Sequence, residues 1–580
     1  MKSFLTNYSK KLFITIIVLF ACSFQSSFAQ RNDPKSSDLK LSALLNYIRY
    51  AYVDTVNEGK IVEKAIVEMM KELDPHSIYF SKEEMEKANE PLVGGFDGVG
   101  IQFQLFKDTI LVIAAVPGGP SDKLGIRAGD KIVKIDSENS TGSKINNNYV
   151  MSKLRGKKGT KVTISIKRGS LSELIDYTIT RDKIPINSID AAYMATSEVG
   201  YIRLDRFAQT TMEEYFEAMS KLKAQGMKSL IFDLRGNSGG YLQTAIDLAD
   251  EFLENDKLIV YTEGTNSPMQ RYNSTAKGGF EKGKLIVLID EGSASASEIV
   301  SGAVQDWDRA LIIGRRSFGK GLVQKPFDLP DGSVIRLTTS RYHTPTGRCI
   351  QKSYAEGTED YMDDFMKRYK HGEFVNSDSI KFPDSLKFYT PNKRLVYGGG
   401  GIMPDIFVPL DTTNGSEFLD NVSRKGLLNQ YVLDLLETKR DEMKSKYPTF
   451  KDFMTNFQPD LNDFIKYAES KGVKRIDSLK ELVLTDIVLN DTKMNKAKVK
   501  GQDKISVENG QFVGNIPPKS LTTEKSDKYL ANQLKAIYAR NLFDMGAVYQ
   551  IINETDDAYL KALEVINNDA MFKKMKIRYQ

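Results

Sequence analysis

The sequence predicts a multidomain α/β protein, and three observations carry that prediction. Between Ile184 and about Leu410, short β-like runs alternate with segments of helical period, the pattern of stacked sheet and helix layers. Residues 91–182, just before, are short strand-like pieces interrupted by glycine, a separate β-rich unit. On either flank, residues 38–90 and 416–580 repeat apolar side chains every three or four positions, as helices do. A chain of 580 residues with 41% hydrophobic and 10% aromatic residues can build several large cores. Its net charge of +5 is too mild to point to nucleic acid or to an anionic membrane surface.

The first 29 residues have the layout of a secretory signal. Lys2, Lys10 and Lys11 precede an apolar run from Leu12 to Ala21, and Ser27, Phe28 and Ala29 form a small-x-small site before Gln30. The run is short for a membrane span of about 20 residues. Cleavage after Ala29 and an exported location, periplasm or cell envelope, are therefore expected. Cys22 offers lipid anchoring as the lesser variant, since Phe20 fits a lipoprotein cleavage box poorly. After cleavage only Cys349 remains, so no internal disulfide can form. One cysteine and the histidines His76, His343 and His371 show no metal-ligand spacing, and neither metal nor cofactor is expected.

In the flanking helical region Leu41, Leu44, Leu45, Ile48 and Tyr52 form one stripe and Ile61, Ala65, Val67 and Met70 another. The turn LDPHS at 73–77 interrupts it, and His76 is read as a loop histidine satisfied by backbone. The β-rich unit holds strands near 101–105, 109–114, 131–135, 161–167 and 173–180. A Gly-hydrophobic-Gly-hydrophobic loop, Gly98, Val99, Gly100 and Ile101, together with GIRAGD at 125–130, resembles a PDZ domain. That resemblance implies that the loop's N–H groups capture a peptide's C-terminal carboxylate while the peptide extends a sheet edge. The plainer reading is a tight turn.

In the α/β region, strands are expected at 199–204, 229–233, 258–261, 285–290, 310–313 and 333–340, with helices at 212–224 and 241–253. Residues 352–397 are polar, rich in charge and tyrosine, and read as an insertion. Beyond 416, Leu427, Leu428, Tyr431, Val432, Leu435 and Leu436 make one core-facing stripe and Leu530, Leu534, Ile537, Tyr538 and Leu542 another, with a basic linker at 493–503.

Chemistry concentrates between Glu291 and Gln324. Ser293, Ser295 and Ser297 sit where an apolar strand gives way to a helix, and Lys320 sits in a nearby glycine-rich turn. A hydroxyl at such a turn can be a nucleophile, and a lysine can be its base if burial or positive neighbours lower its pKa from about 10.4 toward about 7–8. Nothing marks His343 as the centre of a Ser-His-Asp triad, and Cys349 has no base nearby except His343. The run GRRSFGK at 314–320 begins like a phosphate loop, but Gly321 stands where Ser or Thr would bind Mg²⁺. The residues alone do not choose among the three serines.

The motifs GYIRLDRF at 200–207, DLRGNSGG at 233–240, SASASEI at 293–299, QD at 305–306, FGKGLVQ at 318–324 and YHTPTGR at 342–348, in this order after a β-rich unit, closely resemble the carboxyl-terminal processing (tail-specific) peptidases, a family of serine–lysine endopeptidases. The resemblance covers roughly 40–410, less the insertion. It implies a crotonase/ClpP-like α/β core at 184–410 with an inserted PDZ domain. It also implies Ser295 as nucleophile, Lys320 as base 25 residues on, and Gln324 as the residue that orients the lysine. Ala296 with Gly239 or Gly240 would supply oxyanion N–H groups, and Asp306 matches an acidic position of lower rank. Implied substrates are proteins or peptides with free, apolar C-termini. The competing function is a non-catalytic PDZ-type peptide-binding scaffold of the envelope. The insertion could be a lid, an oligomer contact or a substrate guide. The helical extension is read first as structural, with homo-oligomer or adaptor contacts as the alternative.

Overall fold

The computed structural model describes residues 34–475 except 107 and 170, with 506–508, 511–513 and 524–579. The expected export signal and the linker at 493–503 lie outside the described residues. The chain divides into two compact units, residues 1–73 and 74–580. In the first, α1 (Pro34–Ala51) and α2 (Glu58–Lys71) are joined by a short connection. Asn57 caps α2 by accepting the Lys60 N–H at 3.1 Å, and Arg49 Nε bonds Glu58 at 3.0 Å. The helical region read as 38–90 is thus split between the two units. Pro75 cannot continue a helix, and the Asp74 carboxylate takes the N–H groups of His76 and Ser77, so the chain turns there.

The second unit opens with β1 (Ile78–Phe80) and α3 (Lys82–Val93). Ser81 and Glu84 cap α3 reciprocally, and Gly94 ends it in the left-handed region at φ 78°. The β-rich unit follows: β2 (Gly95–Gly98), β3 (Ile101–Phe106), β4 (Thr109–Ala115), β5 (Lys131–Ile135), β6 (Glu138–Asn139), α4 (Asn147–Leu154), β7 (Lys161–Lys167), β8 (Ile175–Thr180) and β9 (Asp182–Pro185). Its sheet runs β3-β4-β5-β7-β8, with β6 on β5, and β2 pairs with β9 where the chain enters and leaves. Val99, Ile110, Val112, Ile132, Val150 and Leu154 form the heart of its core.

The α/β core contains β10 (Ile189–Met194), β11 (Val199–Leu204), α5 (Thr211–Ala224), β12 (Ser229–Asp233), α6 (Leu242–Asp250), β13 (Leu258–Gly264), β14 (Ser267–Asn273), β15 (Leu285–Ile289), α7 (Ala296–Asp306), β16 (Leu311–Gly314), β17 (Leu322–Asp328) and β18 (Val334–His343). The insertion adds α8 (Thr358–Met362), α9 (Asp364–Lys370), β19 (Lys387–Tyr389) and β20 (Leu395–Tyr397), and β21 (Ile406–Phe407) returns to the core. The main sheet has the order β10-β11-β12-β15-β16-β21, parallel except for the edge strand β10. A second sheet, β1-β18-β13-β14 with β17 also on β18, is antiparallel.

All five residues of β15, Leu-Ile-Val-Leu-Ile, are buried, which requires cover on both faces of the sheet. Leu285, Val287 and Ile289 face α5, α6 and α7, whereas Ile286 and Leu288 face the opposite layer. The extension supplies that layer. It comprises α10 (Glu417–Arg424), α11 (Leu427–Lys446), α12 (Phe450–Asn456), α13 (Leu461–Ser470), α14 (Glu524–Leu542), α15 (Met545–Asn553), α16 (Asp557–Ile566) and α17 (Asp569–Lys574). Tyr559, Val565, Ile566 and Phe572 of α16 and α17 pack on Tyr201, Ile231, Ile286 and Leu311. The extension, read first as structural, thus covers one face of the main sheet with its last helices. The remaining helices form their own core, and Leu433 of α11 packs on Leu111 and Ile113 of β4, tying the β-rich unit to the extension.

Candidate active site

Three loops leave the carboxyl ends of β12, β15 and β16 and meet, the usual place for a site in an open parallel sheet. The three serines of the second loop have different fates. Ser293 is buried, donating to Leu234 O at 2.8 Å and accepting the Asp290 N–H at 3.0 Å. Ser297 is buried and donates to Asn237 O at 2.8 Å. Ser295 lines a cleft of about 830 Å³, and its hydroxyl is not tied to a buried carbonyl as those of Ser293 and Ser297 are. Its backbone stands at φ 54°, ψ −112°, just ahead of α7. A non-glycine residue held there costs on the order of 1–3 kcal/mol, a strain that clusters at functional turns.

Two buried groups hold this strained turn against the turn of Lys320. The Glu298 carboxylate, fully buried, accepts the N–H groups of Ser295 (2.8 Å), Gly319 (2.7 Å) and Lys320 (2.9 Å) and the Ser317 hydroxyl (2.5 Å). The amides that would cradle a phosphate in GRRSFGK are therefore filled by a carboxylate. The Tyr342 hydroxyl lies 2.7 Å from Lys320 O and 3.2 Å from Ser295 O. Lys320 lines the same cleft as Ser295. Burial pushes its ammonium pKa down, and the Arg336 guanidinium adds to this, while Glu298 and Asp74 act in the opposite sense. No hydrogen bond joins Ser295 Oγ to Lys320 Nζ; such bonds commonly tighten only when substrate arrives.

Across the cleft, Gly239 and Gly240 approach the serine. A Cβ on Gly239, at φ 105°, would lie 2.9 Å from both Ala294 O and Ser295 Cβ, so only glycine fits beside the Ser295 turn. The two glycine amides differ. Gly239 N–H donates to Asn237 Oδ1 at 2.8 Å. The N–H groups of Gly240 and Ala296 have no acceptor among the described residues and border the cleft.

Gln324 lies on β17, a strand that sequence reading did not foresee, and its Nε2 donates to Thr338 Oγ1 at 3.3 Å. Thr338 Oγ1 donates in turn to Asp74 Oδ1 at 3.0 Å. Asp306 touches none of Ser295, Lys320 or Gln324. It bonds Arg348 at 2.7 Å and the Thr346 N–H and hydroxyl at 2.9 and 2.8 Å, pinning the turn that follows β18. His343 stacks on Tyr261 with centroids 4.7 Å apart. Its Nδ1 meets Gly347 O at 3.2 Å and its Nε2 lies 3.4 Å from Glu263, so neither nitrogen serves a serine. Burial raises the Cys349 thiol pKa, which disfavours its thiolate.

His76 is corrected: its Nε2 meets the Tyr361 hydroxyl at 2.8 Å rather than a backbone group. Burial and the nearby Lys320 push its pKa down to about 4, so it is neutral at physiological pH. Tyr361 belongs to the insertion, which packs on residues 316–318. Tyr361 is buried against Phe318, Lys352 sits 4.0 Å over the Phe318 ring, and Arg368 bonds the carbonyls of Arg316 and Ser317. The insertion braces the segment that leads into Lys320.

In the β-rich unit β3 is an edge strand, so one side of it is open to a further strand. Of the four residues read as a loop, Gly98 ends β2 and Ile101 begins β3, and Val99 and Gly100, the latter at φ 76°, make the turn between them. Ser121 Oγ and N–H both bond Val99 O, at 2.6 and 3.1 Å, and hold the loop in shape. The N–H groups of Val99 and Gly100 donate to nothing among the described residues.

Sequence reasoning missed Glu298, Tyr342, Thr338 and Asp74. Glu298 could have been found: a charged residue three positions after Ser295, on the apolar face of a helix, needs several buried donors.

The peptidase family S41 matches residues 198–360, a PDZ domain matches 111–168, and a family of unknown function, DUF8443, matches 418–500. A carboxy-terminal-processing protease of Bartonella bacilliformis is 36% identical over 308 residues, 52% of this chain and 70% of that protein. The carboxy-terminal processing protease CtpA of Bacillus subtilis is 32% identical over 314 residues, 54% of this chain and 66% of its own length. Among solved structures, the photosystem II D1 C-terminal processing protease aligns at 26% identity over 63% of this chain and 85% of its own, with a TM-score of 0.34. The S41 match spans the loops of Ser295 and Lys320, and the PDZ match falls in the β-rich unit. With these relatives and this domain order, the chain belongs to peptidase family S41, the family of the carboxy-terminal processing proteases, and is a serine-type peptidase that carries a PDZ domain.

Proposed function

We propose that this chain is an exported endopeptidase of the cell envelope that holds the free C-terminus of a protein substrate in its PDZ domain and cleaves the chain with Ser295 and Lys320. One observation carries the reading: a single buried carboxylate, Glu298, holds the amides of both Ser295 and Lys320 at the rim of one cleft. Neutral Lys320 takes the Ser295 proton as Oγ attacks the peptide carbonyl. The N–H groups of Ala296 and Gly240 receive the oxyanion, and one such donor is typically worth about 3–4 kcal/mol. Lys320 then gives its proton to the leaving amine, an acyl-enzyme forms, and water releases it through the same base. Met85, Leu92, Leu242, Ile299 and Val323 line the cleft and favour apolar side chains beside the scissile bond. At the PDZ loop the carboxylate is received by the N–H groups of Val99 and Gly100, and the peptide adds to β3.

The test is hydrolysis of an unstructured polypeptide ending in an apolar residue. Wild type is expected to cleave it and Ser295→Ala to bind without cleaving. Amidating the substrate's C-terminus is expected to lower kcat/KM without changing which bonds are cut. Equal cleavage by wild type and Ser295→Ala refutes the reading. The pH dependence has a definite sign. Lys320 works as the neutral amine, so activity is expected to fall as pH drops through its pKa, which lies below lysine's ordinary 10.5. A kcat/KM profile with no acid limb assignable to Lys320 contradicts its role.

A further inference from the structure

We propose that Asp74 and Thr338 are positioning residues for the Ser295–Lys320 pair: they form a hydrogen-bond relay that fixes which end of the Gln324 amide faces the lysine. The inference rests on the reading of Lys320 as base and adds the device that aims it. The relay has a direction set by elementary donor counting. Asp74 is 8% exposed, and in every one of its side-chain hydrogen bonds its carboxylate accepts. Its Oδ1 takes the His76 N–H at 2.8 Å, the Ser77 N–H at 2.9 Å and the Thr338 hydroxyl at 3.0 Å, and its Oδ2 takes the Ser77 hydroxyl at 2.5 Å. Ser77 Oγ then accepts the Thr338 N–H at 3.1 Å, which locks the loop to β18 from both sides.

A threonine hydroxyl has one proton. With that proton committed to Asp74, Thr338 Oγ1 can only accept, and the group it accepts from is Gln324 Nε2 at 3.3 Å. The amide is thereby oriented with its nitrogen on Thr338 and its oxygen left over. Gln324 and Lys320 line the same cleft without a hydrogen bond between them, and in the proposed arrangement Gln324 Oε1 turns toward Lys320 and accepts one of its N–H groups. That leaves the amine's lone pair for the Ser295 proton. Turned the other way, the amide would offer an N–H to that lone pair and compete with the serine. Asp74 therefore acts on Gln324 through Thr338, and neither Asp74 nor Thr338 lines the cleft.

The groups facing Lys320 are Arg336 of β18, Glu298 of α7, Asp74 and the neutral His76. Asp74 and Glu298 favour its ammonium form, whereas Arg336 and burial oppose it. The two relay members are therefore expected to give separable signatures.

The experiment measures kcat and KM against pH on a peptide substrate for Thr338→Val, Thr338→Ser, Asp74→Asn and Lys320→Ala, with thermal transitions as a check on folding. Thr338→Val keeps the shape and removes the acceptor. It is expected to lower kcat about tenfold or more with KM and the acid limb unmoved. Thr338→Ser is expected to restore kcat. Asp74→Asn is expected to lower kcat and also to shift the acid limb to lower pH, because a charge that favours the ammonium is gone. Wild-type kcat in Thr338→Val, or Thr338→Ser as impaired as Thr338→Val, overturns the relay. If Lys320→Ala retains activity, the base assignment itself fails. If Lys320→Ala is inactive while Thr338→Val is normal, the relay alone fails. Thr338→Val remains decisive even if Asp74→Asn folds poorly.

Discussion

Ser295→Ala is expected to lower peptide-bond hydrolysis by about 10⁴-fold or more, while Ser293→Ala and Ser297→Ala keep the activity of whatever fraction folds. The three serines share one short segment, and only their hydrogen bonds separate them. The Ser293 hydroxyl joins Leu234 O to the Asp290 N–H, and the Ser297 hydroxyl holds Asn237 O. Removing the Ser293 hydroxyl leaves the Asp290 N–H without its acceptor, a stability cost of about 1–3 kcal/mol, whereas Asn237 O keeps the Ala294 N–H at 3.0 Å when Ser297 is replaced, so that variant loses less. The Ser295 hydroxyl has no such tie to a buried carbonyl, so its alanine variant is expected to fold normally and to fail only in catalysis. Specific activity and thermal transition, measured on all three, separate the two kinds of loss. Full activity in Ser295→Ala would contradict the assignment.

Asp306→Ala is expected to show the opposite pattern. Asp306 and Arg348 form an ion pair at 2.7 Å with both side chains fully buried. Deleting one partner of a buried pair leaves an uncompensated charge and typically costs about 3–5 kcal/mol. The Thr346 N–H and hydroxyl would lose their acceptor as well. The expected result is a large fall in the thermal transition of the α/β core, with kcat of the remaining folded enzyme close to wild type. A normal transition with lost kcat would return Asp306 to the catalytic machinery.

These two residues illustrate what the sequence could convey. The strand–helix alternation of 184–410 was legible because buried parallel strands such as Leu285–Ile289 are continuous apolar runs and their helices are amphipathic. Strands β14 and β17 were not: Ser-Pro-Met-Gln-Arg-Tyr-Asn and Leu-Val-Gln-Lys-Pro-Phe-Asp lie at sheet margins with exposed side chains and carry little periodicity. The proposal of Ser295 and Lys320 draws on motif resemblance and spacing. The proposed preference for Gly240 over Gly239 as an oxyanion donor needs the structure, because it depends on whether Asn237 captures an amide. The contributions of Asp74 and Tyr342 were likewise invisible. Asp74 lies 246 positions before Lys320 in the chain, and Tyr342 acts on main-chain carbonyls, which leave no trace in side-chain patterns. The extension shows a different limit: an amphipathic stripe does not say which surface it covers, and for α16 and α17 that surface is the main sheet itself.

The central claim is that Ser295 forms the acyl-enzyme with Lys320 as its base. The most direct measurement is to mix the full-length protein with an activated ester of an apolar acyl group at pH values above and below the acid limb, quench in acid, and map the adduct by peptide mass spectrometry. The account predicts one acyl group on the peptide carrying Ser295, absent from Ser295→Ala and strongly reduced in Lys320→Ala and below the acid limb. An adduct on Ser293, Ser297 or Cys349, or acylation of Ser295 that is indifferent to the loss of Lys320, would contradict it.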